Sequence, residues 1–406
     1  MAGSPRPTSA QSDLRQRNRN LALASVAQNG EMTRSDLAHT IGLTRPAVSR
    51  IVTDLIAEGW LVESAPQATS QPGRPTSRLA LARGRHSFFG VDIRLEGILI
   101  QCRDLSGELL TESRHALPSS APPETAISII VAQIREDTSR LGRRPDGVGL
   151  AVGAGLDSES RIVLGSLYRP WRNVPLPAMI ARSLGRNPPP VVMCEVASAA
   201  ALANWQELAT DLEMTDLVHL QIGIGSGAGI VRRRRGVPWV DAPPMMAHLP
   251  LQADGAPCRC GARGCLDATA GFQALVKLSA GTGLKRREGP RVIEDYCTDL
   301  RALAEAGDPL ATASIREMAG WFARAGAMLL NIVRPTRFTY AGYPVQLGPT
   351  FHERFVEVLK EYSPNVDEVL VTTGLGDRAS VVGAYWLAFN HLIASHGATG
   401  WAEPAM

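Results

Sequence analysis

The sequence predicts an α/β protein in which a winged helix-turn-helix precedes a larger body of two lobes around a cleft. Two short helical patterns meet at Gly42 and are followed by two short apolar strands, as in a winged helix. From Phe88 onward, strand patterns alternate with helical patterns. An aspartate turn at Asp92 and a glycine-rich turn at 223–229 each follow a strand, which indicates two similar halves.

Charge is distributed unevenly along the 406 residues, although 45% hydrophobic and 20% charged residues are ordinary for a globular protein. Residues 1–86 contain eleven Arg and no Lys against six acidic residues, whereas the remainder has a small excess of acid. This balance predicts a polyanionic partner for the N-terminal part alone. A solvated arginine-rich arm would have the same charge.

The same patterns divide the chain into parts. No apolar run could span a bilayer and no secretory signal begins the sequence, so we expect a cytoplasmic protein without a membrane partner. The expected parts are a disordered arm (1–13), a winged helix-turn-helix (14–82), a linker (83–87), a first lobe (88–196), a second lobe with a metal loop (197–384), and a closing helix and tail (385–406).

Three helices are expected in the N-terminal domain. The first covers 14–28, and Thr33 can cap the second, which Gly42 ends with a tight turn. Thr44 can cap the third helix. Pro46 falls in the first turn of that helix, where the missing N–H of proline costs little. The third helix is expected to enter the major groove of double-stranded DNA, although a protein-interaction module is the alternative. Its predicted DNA-binding residues are Thr44, Arg45, Pro46, Ser49 and Arg50.

A wing is predicted after these helices. Leu61-Val62 and Leu79–Leu81 are strand-like, and the polar segment between them ends in Gly73-Arg74-Pro75. This tripeptide is slim, extended and positively charged, which suits a narrow minor groove. We therefore expect Arg74 to read the minor groove; a hairpin tip that touches only phosphate is the alternative.

The body is predicted as a series of strands and helices. The glycine string 223–229 either cradles phosphate or marks close packing, and for Arg232 to Arg235 a solvated hairpin is favoured over an anion site. Helices are expected at 125–140, 197–208, through most of 290–333, and from Gly383. Strands are expected at 88–93, 97–100, 147–152, 191–193, 217–222, 338–342 and 369–371.

A metal site is predicted around 248–265. His248, Cys258, Cys260 and Cys265 offer one imidazole and three thiols, a full set for tetrahedral zinc. Four protein ligands leave no open position for water, so the predicted Zn²⁺ is structural. The alternative is a group of small buried residues, and His115 and His219 are alternative sources of the imidazole.

These motifs together resemble the ROK family of repressors, open reading frames and kinases, over residues 14–392. The resemblance implies an actin-like, ribonuclease H-like body, operator DNA bound by a homodimer or homotetramer, and a sugar or sugar-phosphate effector. It depends on the winged helix, the glycine string, His248 with Cys258-x-Cys260-Gly-x-x-Gly-Cys265, Trp171 with Val174-Pro175-Leu176, and Gly383-Ala384.

Departures from the kinase members matter for catalysis. The phosphate turn Asp-x-Gly-Gly-Thr of the kinases reads Asp92-Ile93-Arg94-Leu95-Glu96 here. Their Asn-Asp-Ala-Asn motif reads Glu195-Val196-Ala197-Ser198, and valine cannot act as the general base for a sugar hydroxyl. We therefore expect no sugar phosphorylation.

The sugar site also departs from the family pattern. Met245 replaces a carboxylate of the sugar site, and Asp267 stands where the family has Glu. The effector-binding residues expected from the resemblance are Glu195, His248 and Asp267. An apolar pocket of Val196, Met245 and Leu167 would favour an effector unlike a common hexose, or none.

The function expected from these residues is a DNA-binding transcriptional regulator, a repressor rather than an activator. Its body would be a zinc-bearing sensor and assembly domain without catalytic activity. The alternatives are an active sugar kinase with an appended DNA-binding domain and a ligand-independent DNA-binding protein.

Overall fold

The chain folds as a winged helix joined to a body with two separate sheets. The computed structural model describes residues 9–65, 77–95, 97–157, 162–165, 169–208, 214–234, 237–285, 292–370 and 375–395. None of the helices in these ranges is both long enough and apolar enough to cross a bilayer.

Three helices and a two-stranded sheet form the N-terminal domain. Thr33 and Asp36 form a reciprocal capping box at the start of the second helix, and Gly42 ends that helix in the left-handed region with φ 66°. Thr44 is the N-cap residue of the third helix, but its hydroxyl makes no capping hydrogen bond, contrary to expectation. The elements are α1 (Ser9–Asn29), α2 (Arg34–Ile41), α3 (Arg45–Ala57), β1 (Leu61–Glu63) and β2 (Leu79–Leu81).

The first helix differs from the prediction at its start. It begins at Ser9, so residues 9–13 of the expected disordered arm are helical. The buried part of this helix lies around Leu23 and Val26. Once a helix is nucleated, each added residue gains one backbone hydrogen bond, so the polar residues 9–13 continue the same helix toward the N-terminus.

The first lobe contains a five-stranded sheet of order β10-β6-β3-β4-β5 and a small sheet of order β7-β8-β9. Strands β3, β6 and β10 are parallel, and β4 and β5 are added antiparallel at one edge. The elements are β3 (Ser87–Ile93), β4 (Gly97–Asp104), β5 (Leu109–Ala116), α4 (Pro123–Leu141), β6 (Gly147–Val152), β7 (Gly155–Asp157), β8 (Ile162–Gly165), β9 (Arg172–Val174), α5 (Leu176–Leu184) and β10 (Val191–Glu195).

The second lobe contains a four-stranded sheet of order β13-β12-β11-β14 beside a large helical core. Its elements, together with the helices that flank it in sequence, are α6 (Val196–Leu208), β11 (Asp216–Ile222), β12 (Ser226–Arg234), β13 (Val237–Val240), α7 (Leu266–Ala270), α8 (Phe272–Leu278), α9 (Val292–Glu305), α10 (Pro309–Val333), β14 (Arg337–Gly342), α11 (Pro349–Tyr362), α12 (Val366–Val369) and α13 (Ala379–Ser395).

The closing helix α13 begins at Ala379, four residues before the expected Gly383. It lies against β3 and β6, where a Cβ added to Gly149 would come within 1.8 Å of the Ala384 carbonyl oxygen. The helix also packs closely on α6, and the expected boundary between residues 384 and 385 falls within it. Farther along, Phe389 of α13 shares a buried core with the winged helix.

The linker between the winged helix and the body is packed on both sides. β3 starts at Ser87, which leaves 83–86 as the connection. The rings of Trp60 and His86 stack with centroids 4.0 Å apart, and His86 Nδ1 lies 3.0 Å from a carboxylate oxygen of Asp146 in the body. These contacts fix the linker against both domains.

The predicted strand at 369–371 is not present within the described residues. Val369 ends the short helix α12, and Leu370 forms a single parallel bridge to Phe338. Val366 is fully buried and holds this helical turn in place. The apolar residues at 369 and 370 therefore end a helical turn instead of forming a strand. Residues 371–374 lie outside the described part of the chain.

Candidate functional site

Helix α3 presents one exposed face and one buried face. Val48, Val52 and Leu55 are completely buried in the domain core. In the described part of the chain, no hydrogen bond or ion pair engages Arg45 or Arg50. The exposed face carries all five residues predicted to contact DNA from this helix, namely Thr44, Arg45, Pro46, Ser49 and Arg50.

Other arginines of the basic N-terminal part are engaged within the protein. Arg15 of α1 pairs with Asp54 of α3, and Arg19 pairs with Glu58. The positive surface is therefore narrower than composition predicts. Arg74 of the predicted wing lies in 66–76, outside the described residues.

One residue of this surface was missed from the sequence. Arg34, the first residue of α2, donates to both carboxylate oxygens of Glu63 and to Ser49. Glu63 also accepts a hydrogen bond from the Ser77 hydroxyl at 3.2 Å. The sequence shows only that an arginine stands at the start of a predicted helix. That position does not reveal that its partners are Ser49, 15 residues away, and Glu63, 29 residues away.

The metal-ligand set predicted from sequence is brought together. The ligand atoms of His248, Cys258, Cys260 and Cys265 all lie within 4.8 Å of one another. Cys260 Sγ is 3.7 Å from Cys265 Sγ, and Cys258 Sγ is 3.6 Å from His248 Nδ1. Two thiolates on one tetrahedral zinc, with bonds of about 2.3 Å, would lie about 3.8 Å apart. The cluster can therefore hold a metal ion.

Backbone geometry explains how His248 and Cys265, which are 17 positions apart in sequence, meet. Gly264 has φ 64° and packs so closely that an added Cβ would lie 1.7 Å from the Gln252 carbonyl oxygen. The Leu266 N–H then donates to Leu249 O at 2.9 Å, which sets Cys265 beside His248.

The other two candidate histidines lie in separate surroundings. His115 contacts Ser113 and Gln133 on β5 and α4. His219 is fully buried in β11, and burial lowers its pKa to about 4, although its bond to Gln221 acts in the opposite direction. Of the three histidines considered from sequence, the structure places His248 with the thiols.

The expected effector residues lie around the glycine turn. Asp267, at the start of α7, accepts hydrogen bonds from the Ser226 N–H at 3.1 and 3.3 Å. On the other side of the turn, a Cβ added to Gly229 would lie 2.3 Å from the Ala197 carbonyl oxygen. The glycine turn thus lies between the start of α6, two residues after Glu195, and the start of α7.

Two carboxyl groups in this region have raised pKa values. Burial raises the pKa of Glu195 to about 7, and the Leu156 N–H partly offsets that effect. Burial likewise raises the pKa of Asp267 to about 6 against the opposing hydrogen bonds from Ser226.

The glycine string serves close packing at Gly227 and Gly229, where α6 occupies the space beside the backbone.

Two of the three residues of the expected apolar pocket lie in the described part of the chain. Val196 is half-buried at the start of α6, but the Met245 side chain is 75% exposed. Met245 immediately precedes the 3₁₀ turn Met246–His248, with φ −74° and ψ 60°. Leu167 lies in 166–168, outside the described residues.

The aspartate turn of the first lobe is occupied by the protein's own side chain. Asp92 is 1% exposed and accepts hydrogen bonds from Arg94 Nε at 2.6 Å and from the Ser380 hydroxyl. The same guanidinium bonds to the side chain and carbonyl oxygen of Asp377. Burial lowers the pKa of Arg94, but the carboxylates of Asp92 and Asp377 outweigh it, so Arg94 stays charged.

The basic run of β12 is satisfied internally where it is described. Arg232 lies 3.2 Å from Asp216 and 3.3 Å from Asp241. Arg233 lies over the Trp205 ring, 5.5 Å from its centroid. These pairings favour the hairpin interpretation of this run over an anion site.

Comparisons with known proteins agree with this architecture. The ROK family model matches residues 88–391, and a MarR family model matches 19–69. The chain is 25% identical to the xylose repressor of Caldicellulosiruptor bescii over 395 residues, which cover 94% of this chain and 97% of the relative. It is 26% identical to a glucokinase of Streptomyces coelicolor over 317 residues, 74% of this chain and 96% of the relative.

Among solved structures, a ROK family transcriptional regulator, described as a homologue of the E. coli MLC protein, has the same fold. Its TM-score is 0.76 at 21% identity, with 96% of this chain and all of that chain covered. A MarR-type winged helix followed by a two-lobed, sugar-kinase-like body defines a class of DNA-binding transcriptional regulators. The chain belongs to the ROK family, and the resemblance and fold class inferred from the sequence are confirmed.

Proposed function

We propose that this chain represses transcription by binding double-stranded operator DNA through the exposed face of α3. The observation that carries the proposal is the position of Arg45 and Arg50, which project from that face while the opposite face is buried. Arginine can reach guanine edges or phosphates in the major groove. The relative from C. bescii is named a xylose repressor, which supports repression over activation. Arg74 is proposed to add a minor-groove contact.

The metal loop is proposed to hold a structural Zn²⁺ through His248, Cys258, Cys260 and Cys265. Three sulfur ligands and one imidazole suit zinc, and the 3.7 Å spacing of two sulfurs fits a tetrahedral site. Its role would be to fix the loop that carries Asp267 to the glycine turn, because Asp267 follows Cys265 by two residues.

The body is proposed to bind and assemble without phosphorylating a sugar. In the corresponding turn of the kinases, glycines let phosphate approach the backbone, whereas Arg94 fills this turn and pairs with Asp92 and Asp377. Val196 supplies no general base. A coupled assay with ATP and a panel of sugars tests this proposal, with the S. coelicolor glucokinase as positive control. ATP-dependent turnover by this chain would contradict it.

An effector is proposed to bind near Glu195, Asp267 and His248, in a cytoplasmic homodimer or homotetramer. Helix α13 packs on α6 and, through Phe389, on the winged-helix core. We propose that it carries changes in the body to the spacing of two winged helices on operator half-sites.

Mapping bound DNA across the genome of the source organism, with a deletion strain for expression, tests the main proposal. The expected result is a small set of sites with a shared, two-fold symmetric sequence, and increased transcription of adjacent genes in the deletion strain. Binding without sequence preference, or decreased transcription of those genes, would contradict it.

A further inference from the structure

Arg34 connects three parts of the winged helix through one guanidinium group. Its Nε and Nη2 atoms donate to the two carboxylate oxygens of Glu63 at 2.9 and 2.7 Å. Its Nη1 donates to the hydroxyl and carbonyl oxygens of Ser49 at 3.1 and 3.2 Å. Glu63 ends β1 at the base of the wing, and Ser49 lies on the exposed face of α3. The recognition helix and the wing strand are thus held by one side chain.

The pair between Arg34 and Glu63 is stronger than an ordinary surface contact. It is bidentate, and the two side chains are only 31% and 25% exposed. The hydrogen bond to Glu63 raises the pKa of Arg34 against the effect of burial, and the same bond lowers the pKa of Glu63. Both groups therefore remain charged and paired throughout the neutral pH range.

This arrangement decides what the Ser49 hydroxyl can offer to DNA. A serine hydroxyl has one hydrogen to donate and two lone pairs to accept with. Arg34 occupies one lone pair, which orients the hydroxyl so that its hydrogen points away from the guanidinium. The hydroxyl hydrogen is then free to be donated to an acceptor on DNA, and only one lone pair is left to accept. Acceptors in the major groove are guanine N7 and O6, adenine N7 and thymine O4.

Arg34 itself is poorly suited to binding a phosphate. Neutralising a phosphate requires a positive charge that is free to displace a counterion. The guanidinium of Arg34 already has a carboxylate on one edge and Ser49 on another. A second anion would have to approach close to Glu63, which would repel it.

We infer that Arg34 is a positioning residue for sequence recognition, which orients Ser49 as a donor to a base edge and holds α3 against the wing. This inference rests on the proposed DNA-binding function. It differs from the role of Arg45 and Arg50, since Arg34 acts through another side chain and contributes specificity without net charge.

The test uses the full-length chain and a duplex enriched by the wild-type protein from a random-sequence library. An unrelated duplex of equal length measures non-specific binding, and both affinities are measured across a salt series. Arg34→Ala is expected to lose about tenfold in affinity for the enriched duplex and less than about twofold for the unrelated one. The slope of affinity against salt is expected to stay unchanged.

Two further variants separate position from charge. Arg34→Lys keeps the charge but cannot bridge Glu63 and Ser49 together, so it is expected to lose the same specificity. Ser49→Ala combined with Arg34→Ala is expected to be no worse than Arg34→Ala alone, because Arg34→Ala already removes the interaction with the Ser49 hydroxyl. Melting temperatures of all variants report folding, and the conservative Arg34→Lys keeps the test decisive if Arg34→Ala unfolds.

Specific outcomes would overturn the inference. Equal losses on both duplexes, with a salt slope reduced by about one unit, would make Arg34 a phosphate contact instead. Wild-type affinity and specificity in Arg34→Lys would also overturn it. A wild-type chain that enriches no duplex would instead contradict the proposed function, and the two failures are therefore distinguishable.

Discussion

The guanidinium of Arg94 occupies the turn that follows β3 and donates to the buried carboxylate of Asp92 at 2.6 Å. Asp92 lies near the end of β3, two residues before Arg94, and Arg94 also reaches Asp377, just before α13. A position that is glycine in the family's kinase members thus carries an internal ion pair between the first sheet and the closing helix.

Removing this arginine should destabilise the chain. Arg94→Met leaves Asp92, which is 1% exposed, as a buried charge without its cation, and breaking such a pair costs about 3 kcal/mol. Urea unfolding measures the change. The matched control is Arg114→Met, since Arg114 is 56% exposed beside Glu112 and should contribute less than about 1 kcal/mol. Equal losses in the free energy of unfolding for both variants would show that the Arg94 pair is no more stabilising than an exposed ion pair.

Removing one sulfur ligand should remove the metal. Cys260→Ser changes an exposed side chain, so the core packing stays intact while one of four ligands is lost. By mass spectrometry of the metal content, we expect about one zinc per wild-type chain and little or none in the variant. In excess zinc, the free energy of unfolding of the variant should be about 3 kcal/mol lower than that of the wild type. Cys194→Ser, which lies outside the cluster, should retain the metal. Equal zinc content in both variants would contradict the site.

The half-buried carboxyl of Glu195 should make stability fall as pH rises. Its pKa in the folded chain, about 7, is above the ordinary value of about 4.3, so the folded state binds more protons between these values. The stabilising contribution is complete below about pH 4 and is lost as pH rises through about 7.

Glu195→Gln should remove this pH dependence. Between pH 5 and pH 8 the variant should lose less stability than the wild type, by an amount on the order of 2 kcal/mol. Urea unfolding at a series of pH values measures the difference, and Glu353→Gln, on an exposed surface of α11, is the control. Parallel curves for wild type and Glu195→Gln would contradict the raised pKa.

Arg45 and Arg50 should dominate recognition by α3. Losing both should weaken binding to operator DNA by about 100-fold, because each good guanine contact contributes about 1–3 kcal/mol. Fluorescence anisotropy on a labelled duplex measures the loss. Arg182→Ala with Arg186→Ala removes the same charge from an exposed part of the body and should leave binding unchanged. Unchanged affinity in Arg45→Ala/Arg50→Ala would exclude α3 as the reading helix.

Much of the fold and part of the site could be predicted because they depend on local patterns. The strand at 147–152 was predicted with the observed bounds, since a continuous apolar run between turn residues is a local signal. The cluster that could hold a metal ion was predictable because cysteine is rare and three of six fall within eight residues. The strand β5 was missed because its exposed and half-buried residues, such as Glu112 and Arg114, lack a clear apolar alternation.

The sequence by itself determined the order of domains, the family, the exposed arginines of α3 and the four residues that could hold a metal ion, because each follows from periodicity or spacing over short distances. Only the tertiary structure decided which polar side chains meet. Arg34 with Glu63 and Asp92 with Ser380 are separated by 29 and 288 positions. Such contacts depend on how helices and strands pack, and no periodic pattern in the chain records them.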